Sequence, residues 1–156
     1  MTASKNLLPA ALRNQTSFVL IKLAALLRQD CTEQLAGTGL SQHQHAILCC
    51  LDEYGPACQK DIADRLGIDG GDTVAFVDGL DQGGLITRER DQRDRRRQIL
   101  TITTAGRRAL RRVEKLLEAA ESGLLAALTE QQRAEIHKSA TQALASHDAD
   151  AWVGPS

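Results

Sequence analysis

Proline, aromatic residues and cysteine are scarce in this sequence, and each shortage excludes a class of protein. Only three of the 156 residues are proline, 42% are hydrophobic and no short repeat appears, so collagen-like and disordered low-complexity chains are excluded. With only four aromatic residues, a stacked aromatic cage for a ligand is not expected. Arg13, Lys22 and Arg28 interrupt the N-terminal apolar stretch, which leaves no segment near the ~20 apolar residues that cross a bilayer. The first residues lack a charged segment followed by a long apolar one, and we therefore expect a cytoplasmic protein with no membrane partner.

The four cysteines lack the spacing of a disulfide scaffold. Cys31, Cys49, Cys50 and Cys58 contain no Cys-x-x-Cys pair, and the adjacent Cys49 and Cys50 cannot easily bridge each other. They fit small buried hydrophobic residues, because free cysteine is among the most often buried residue types. A redox sensor is the alternative, and it requires an accessible thiol with a low pKa. The sequence leaves both interpretations open.

Motifs for catalysis and metal binding are also absent from the sequence. It contains no Gly-rich phosphate loop, no His-Glu pair with metalloprotease spacing and no nucleophile elbow, so we expect neither an enzyme nor a bound cofactor. His43 and His45, with Cys31, are the candidate metal ligands. Two histidines two residues apart on a helix point to different faces, which is poor geometry for one metal ion. We therefore predict no metal site.

Positive charge is concentrated in one part of the chain. The formal net charge is −1, but residues 88–112 contain ten arginines against Glu89, Asp91 and Asp94, so this segment carries +7 and the remainder −8. A local basic segment attracts a polyanion, because phosphates respond to local rather than total charge. The alternative is a solvated face laced with salt bridges. Arginine without lysine favours planar recognition of phosphate or base edges.

Hydrophobic periodicity predicts a chain that is mainly helical. Helices are expected over residues 11–36, from the Ser41 cap to Tyr54, over 57–66 and over 70–82, the last capped by Asp69 and packing through Val74, Val77 and Leu80. A long helix with apolar residues from Ala109 to Leu128 follows Thr103 or Thr104, and Thr129 with Gln132 begins a final helix. Residues 148–156 are expected to fray. The short connection 67–69 between two helices is typical of a helix-turn-helix.

One β-hairpin interrupts the helices. Residues 85–88 and 99–103 alternate and are rich in β-branched side chains, which predicts two strands. The arginine-rich loop 89–98 joins them. A helix-turn-helix followed by a hairpin, or wing, is a winged helix.

The sequence resembles the MarR family of bacterial transcription regulators over residues 10–146. DQRDRRRQILTITTAGRRAL at 91–110 is similar to the family's wing signature, and QKDIADRLGI at 59–68 is similar to its helix and turn before the recognition helix. The resemblance implies a mainly α fold with a small β-hairpin, in one MarR-like domain spanning 1–156. It further implies a winged helix-turn-helix DNA-binding part at 41–104, with N- and C-terminal dimerisation helices at 11–36 and 104–146.

The wing is expected to provide much of the affinity for DNA. A narrow hairpin tip can insert an arginine into a minor groove, and a carboxylate two residues away can hold that arginine. The resemblance implies these roles for Arg96 and Asp94. Other wing arginines are predicted to bind phosphates, about one unit of salt slope each: Arg88, Arg90, Arg93, Arg95 and Arg97.

The predicted recognition helix departs from the family pattern. The resemblance implies hydroxyl and arginine residues in its first two turns, whereas residues 66–84 contain four aspartates and no basic side chain. Weak base readout is therefore expected. Asp72 could accept from a cytosine amine, and Thr73 and Phe76 could touch a thymine methyl group. The backbone amides of Gly70 and Gly71 could approach a phosphate.

These expectations combine into one functional hypothesis. Excess apolar surface on the first and last helices predicts a homodimer. The partner is double-stranded DNA, and two-fold symmetry predicts a near-palindromic operator. The resemblance implies a repressor that is released by a small lipophilic or phenolic ligand. Positions near the dimerisation helices suggest the ligand-binding residues Arg13, Phe18, His43 and His45. Two alternatives stay open: a redox-sensing regulator using Cys31 or Cys58, and an interaction module of the same fold that does not bind DNA.

Overall fold

The structure is a computed structural model that describes residues 7–152. The chain forms two compact units, residues 1–120 and residues 121–156. Eight helices and three strands follow one another along the described residues: α1 Ala10–Arg13, α2 Thr16–Ala36, α3 Gln42–Tyr54, β1 Ala57–Cys58, α4 Gln59–Leu66, α5 Gly70–Gln82, β2 Ile86–Arg90, β3 Gln98–Ile102, α6 Thr104–Leu124, α7 Glu130–Ala145 and α8 Ala149–Trp152. This mainly α architecture with a small antiparallel sheet confirms the predicted fold class.

The sheet of the first unit has three strands in the order β1-β3-β2. β2 and β3 form the predicted hairpin, in which Arg88 lies opposite Leu100 and Arg90 opposite Gln98. The strands extend further toward the tip than the alternation predicts, so the loop is 91–97 rather than 89–98. β1 is a third strand that the sequence did not predict, because Ala57 and Cys58 pair with β3 instead of starting the next helix.

The core of the first unit is aliphatic. It consists mainly of leucine, isoleucine and valine from α3, α4, α5, the hairpin and α6, with Ile47, Leu48, Val77, Leu80 and Leu100 fully buried. Burial of such side chains contributes roughly 1.5–3 kcal/mol each. The capping box between Ser41 and Gln44 starts α3 as predicted.

Several sequence expectations are corrected by the structure. The predicted helix 11–36 is divided into α1 and α2 at residues 14–15. Val74, predicted to pack inward, is 44% exposed, because α5 turns the face of Thr73, Val77 and Leu80 toward the core. α6 ends at Leu124, before the end of the predicted apolar face.

The start of α6 is pressed against the start of the wing. The Thr103 amide donates to the Leu85 carbonyl oxygen at 3.0 Å, and the Thr103 hydroxyl donates to the Gly84 carbonyl oxygen at 2.8 Å. A Cβ on Gly106 would lie 2.1 Å from the Leu85 carbonyl oxygen, so only glycine fits there. The Thr-x-x-Gly motif therefore encodes a close contact between backbone segments.

The second unit contains the end of α6 and the two last helices. Thr129 and Gln132 form the predicted capping box at the start of α7. No residue of α7 is buried. α8 occupies Ala149–Trp152, within the segment predicted to fray, and residues 153–156 lie outside the described part of the chain.

Candidate nucleic-acid interface

The helix-turn-helix consists of α4, a three-residue turn and α5. Gly67 has a φ of +62° at the end of α4, a left-handed conformation that glycine adopts without a steric penalty. Asp69 then caps α5, because its carboxylate accepts from the Gly71 amide at 2.8 Å. The predicted cap is confirmed, and the turn fixes the angle between the two helices.

The first turn of α5 offers fewer groups to DNA than the sequence predicts. Thr73 is fully buried, and its hydroxyl donates to the Asp69 carbonyl oxygen at 2.8 Å. The predicted base contact of Thr73 is therefore wrong, because the side chain is used inside the fold. The Gly71 amide is likewise engaged by the Asp69 cap rather than offered to a phosphate. Gly70 and Asp72 are exposed, and their contacts with DNA stay predictions.

Phe76 faces α3 rather than standing free at the surface. Its ring stacks on the ring of His43, with centroids 4.7 Å apart and an interplanar angle of 11°. The Gln44 side-chain amide donates to the Phe76 carbonyl oxygen at 3.3 Å and so joins α3 to α5. Phe76 is half-buried, and its contact with a thymine methyl group stays a prediction.

Two aspartates shape the tip of the wing through the backbone. The Asp91 carboxylate accepts from the Arg93 amide at 2.8 Å, and the Asp94 carboxylate accepts from the Arg96 amide at 3.0 Å. Both are Asx turns, in which an aspartate binds the backbone two residues later. Asp94 was expected to hold the guanidinium of Arg96, but it fixes the backbone of Arg96 instead. The Arg97 amide donates to the Asp94 carbonyl oxygen at 2.9 Å and closes the turn.

The ten arginines of residues 88–112 divide into two groups by their ion pairs. One group pairs with acidic side chains of the first unit: Arg88, Arg97, Arg107 and Arg111. The other six form no ion pair with residues 7–152: Arg90, Arg93, Arg95, Arg96, Arg108 and Arg112. Four of these six lie on the wing. Part of the basic segment is therefore a salt-bridged face, and the other part carries charge without an ion pair among residues 7–152.

Arg88 connects the wing to the recognition helix. Its guanidinium donates a hydrogen bond to Asp78, and its Nε lies 3.1 Å from Asp81 Oδ2 in an ion pair that lacks hydrogen-bond geometry. The Arg88 side chain is 21% exposed, against 46% and 43% for the two aspartates. The sequence assigned Arg88 to a phosphate, but in the structure its charge is already met by two carboxylates of α5.

Arg97, the last residue of the wing loop, connects the wing to β1 and α4. Its Nη2 donates to Cys58 Sγ at 2.9 Å and to Asp61 Oδ2 at 3.0 Å. The bond to Cys58, together with the Asp61 charge, raises the pKa of Arg97. The hydrogen bond with Cys58, together with the Arg97 charge, lowers the pKa of Asp61. These groups line a cavity of about 680 Å³ between residues 58–61 and 96–98, and the predicted phosphate role of Arg97 competes with this internal pairing.

A third charged contact joins α3 to α6. Asp52, whose side chain is 16% exposed, contacts Arg107 and lies 2.6 Å from Arg111. Arg111 also binds Glu114 at 2.8 Å. Sequence reasoning missed this contact. The only signal was the spacing of Arg107 and Arg111, which places both on one face of a helix.

The four candidate ligand residues have separate surroundings. Arg13 Nε donates to the Leu8 carbonyl oxygen at 2.9 Å, and Phe18 is half-buried with the Lys22 ammonium 5.6 Å from its ring centroid. His43 stacks on Phe76, as described above. Their role in ligand binding stays a prediction.

His45 lies next to Cys49, with Nε2 and Sγ 3.5 Å apart. Burial lowers the pKa of His45, and the Glu114 charge opposes this effect. Burial also raises the pKa of Cys49, and Glu114 and Asp52 reinforce that effect. A thiol whose pKa is raised is less reactive, so Cys49 is unsuited to act as a thiolate at neutral pH.

We searched residues 7–152 for clusters of metal ligands and for helices that could span a membrane. Over that range, no three histidine, cysteine or acidic side chains converge as ligands for a metal ion. No helix over the same range combines the length and the apolar character that a membrane span requires.

Comparison with known proteins agrees with the winged architecture. The sequence model of the MarR family matches residues 40–97. The transcriptional repressor CouR, in a structure bound to a 23-mer DNA duplex, is 32% identical to this chain with a TM-score of 0.75 and covers 88% of this chain and 98% of its own.

Two further relatives are more distant. CouR from Rhodococcus jostii RHA1 in a crystal structure with p-coumaroyl-CoA has 20% identity, a TM-score of 0.68 and coverage of 85% and 94%. The uncharacterized HTH-type transcriptional regulator YcgE of Bacillus subtilis is 29% identical over 82 residues, which is 53% of this chain and 53% of YcgE. The helix-turn-helix, the wing and these matches agree: the chain belongs to the MarR family of DNA-binding transcriptional regulators.

Proposed function

We propose that this protein is a dimeric transcriptional repressor that binds a near-palindromic operator and is released by a small lipophilic or phenolic ligand. The winged part at 41–104 contacts DNA, and the helices at 11–36 and 104–146 form the dimer within a single MarR-like domain. The wing tip carries the proposal, because two Asx turns hold the backbone of Arg93 and Arg96 in a fixed conformation. A preorganised tip loses less entropy when an arginine enters a minor groove.

The unequal use of the arginines supports a binding mode led by the wing. Arg90, Arg93, Arg95 and Arg96 have no ion pair to break within the described residues, so they can meet phosphates or a groove without losing an internal partner. The recognition helix, by contrast, contains no basic side chain. Phosphate contacts set affinity and register, whereas base contacts set sequence preference. We therefore expect strong salt dependence and modest sequence discrimination.

Apolar side chains left exposed in each unit support the dimer. In the first unit, α2 carries Val19, Leu20, Ile21 and Leu26 at 47–66% exposure. In the second unit, Ile136, Leu144 and Trp152 are 40–48% exposed. A second copy of the chain would cover such surfaces and bring two wings to one duplex. Light scattering coupled to size exclusion should therefore report twice the monomer mass of 16.9 kDa.

Binding to DNA is tested by fluorescence anisotropy with a duplex from the chain's own upstream region. The dimer should bind with a dissociation constant of about 10 nM or lower at physiological salt. Arg96→Ala should weaken binding about tenfold. Arg108→Ala is the matched control, because Arg108 is also exposed and has no ion pair within residues 7–152, but it lies on α6 outside the wing. Equal losses in the two variants, or wild-type binding no tighter than to random DNA, would contradict the proposal.

Ligand release is tested with the same complex. Since the similar protein CouR has been crystallised with p-coumaroyl-CoA, that compound is the first probe, followed by simple phenolic acids. Release of DNA at concentrations that leave the unfolding temperature unchanged or higher supports a ligand that selects a non-binding conformation. Arg13→Ala and Phe18→Ala then test the predicted lining.

Thiol oxidation is a second candidate signal: one contact of Cys58 favours it, whereas the burial of this thiol at 5% exposure opposes it. Cys58 Sγ accepts from Arg97 Nη2 at 2.9 Å, so oxidation of this sulfur would disturb the wing loop where it ends at Arg97. Mild peroxide followed by mass spectrometry should then modify Cys58 and weaken DNA binding, and Cys58→Ser should remove the response. A response that persists in Cys58→Ser but disappears in Cys31→Ser would assign the signal to Cys31. No observation favours the interaction module that does not bind DNA.

A further inference from the structure

Two aspartates of the recognition helix, Asp78 and Asp81, contact the wing while remaining partly exposed to solvent. Asp78 and Asp81 are three residues apart, and side chains at this spacing lie on one face of a helix. Both carboxylates converge on the guanidinium of Arg88 in β2. Two of the four aspartates of this helical region therefore pair with an arginine inside the fold, and they would not meet DNA as unpaired negative charges.

Arg88 lies on the inner face of the hairpin. It is two residues from the buried Ile86 and directly opposite the buried Leu100, and side chains at these positions share one face of an antiparallel pair. The neighbouring Thr87 and Glu89 are exposed on the other face. The guanidinium thus lies between the hairpin and α5, where a planar fork can meet two carboxylates at once.

We infer that Arg88 is a positioning residue, which fixes the wing to the recognition helix through Asp78 and Asp81 and does not bind phosphate. This inference rests on the proposed mode of binding, in which α5 and the wing contact one duplex together. The two elements can reach a major and a minor groove simultaneously only if the angle between them is set in advance. The cluster of one arginine and two aspartates carries a net negative charge, so it does not itself attract DNA.

The inference and the phosphate-contact alternative predict opposite effects of removing the aspartates. If Arg88 binds phosphate, the Asp78→Asn, Asp81→Asn double variant frees its charge, removes two negative charges and raises the affinity for DNA. If Arg88 positions the wing, the same double variant lowers the affinity for the upstream duplex about fivefold or more, the lower end of the range for coupled sites. A gain in affinity would overturn the inference.

The salt dependence of binding separates the two roles a second time. Arg88→Gln should leave the slope of log K against log salt unchanged while lowering affinity, because no phosphate contact is lost. Arg90→Gln is the matched control on the same strand and should lower the slope by about 0.9 per protomer, as expected for one lost phosphate contact. Equal decreases in slope for the two variants would overturn the inference.

The slope comparison is made on the upstream duplex and on a random duplex of the same length. Weak wild-type binding to the upstream duplex would contradict the proposed repressor, but the slopes on random DNA would still test the role of Arg88. Thermal unfolding by circular dichroism shows whether each variant folds. If Arg88→Gln does not fold, Asp81→Asn alone removes the contact with Nε and retains the test by opposite sign.

Discussion

Gly106 provides the sharpest test of the packing between α6 and the wing. A Cβ added there would lie 2.1 Å from the Leu85 carbonyl oxygen and 2.8 Å from Ile102 Cγ1, both far inside van der Waals contact. The nearer atom belongs to the backbone, and the Thr103 amide already holds it at 3.0 Å. Gly106→Ala must therefore push α6 away from the hairpin.

The cost of Gly106→Ala follows from two opposing effects. Overpacking a tight contact destabilises by ~1–3 kcal/mol, and a backbone neighbour that cannot rotate away places this site near ~3 kcal/mol. Alanine in a helix gains up to ~1 kcal/mol over glycine, which offsets part of that loss. The expected net loss is about 2 kcal/mol, or roughly 4–8 °C in melting temperature for a chain of this length.

Gly123→Ala is the matched control, because Gly123 lies in the same helix and no atom lies within 4 Å of its added Cβ. This variant should be as stable as the wild type or gain up to ~1 kcal/mol. Urea unfolding followed by circular dichroism measures both. A Gly106→Ala protein that unfolds at or above the wild-type midpoint, beside a normal Gly123→Ala control, would show that α6 is not packed tightly against the hairpin at this position.

Two further predictions concern the pH dependence of stability and the wing turn. Burial lowers the pKa of His45 below its ordinary 6.5, so as pH falls the unfolded chain binds a proton at this histidine before the folded chain does. The contribution of neutral His45 to the free energy of unfolding is therefore complete above about pH 6.5 and is lost as pH falls through the pKa of the folded state. As pH falls over that range, the urea midpoint of the wild type should decrease more steeply than that of His45→Gln. Parallel curves of urea midpoint against pH would exclude His45 as the cause of the decrease. Asp94→Ala should weaken DNA binding in the anisotropy assay although it removes a negative charge, because the acceptor for the Arg96 amide is lost. Asp94→Asn retains an acceptor oxygen and should bind nearly normally, whereas tighter binding by Asp94→Ala would show that the carboxylate only repels phosphate.

Local signals in the sequence predicted most of the fold. Ser41, Asp69 and Thr129 each cap a helix by accepting from a backbone amide two or three residues later. Because both partners are close in sequence, the residue pattern alone predicts such caps. The β-branched runs likewise predicted β2 and β3. β1 escaped prediction because a two-residue strand depends on its long-range partner and has no periodicity of its own.

The sequence predicted which residues make up the candidate site but not which of their side chains pair with one another. The arginine-rich wing was evident from charge alone, whereas the engagement of Arg88 by Asp78 and of Arg97 by Asp61 depends on how separate elements fold together. Thr73 shows the same limit. Its position near the start of the recognition helix suggested a base contact, and only the packing of α5 shows that the hydroxyl is buried.

In the proposed binding mode, wing arginines without an ion pair among residues 7–152 contact DNA, and Arg97, which is paired inside the fold, does not. Arg95 and Arg97 provide the direct comparison, because they are two residues apart and only Arg97 binds Cys58 and Asp61. The measurement is the slope of log K against log salt for Arg95→Gln and Arg97→Gln on one duplex. We predict a decrease of about 0.9 per protomer for Arg95→Gln and an unchanged slope for Arg97→Gln. The same decrease in both variants would show that Arg97 binds phosphate despite its internal partners.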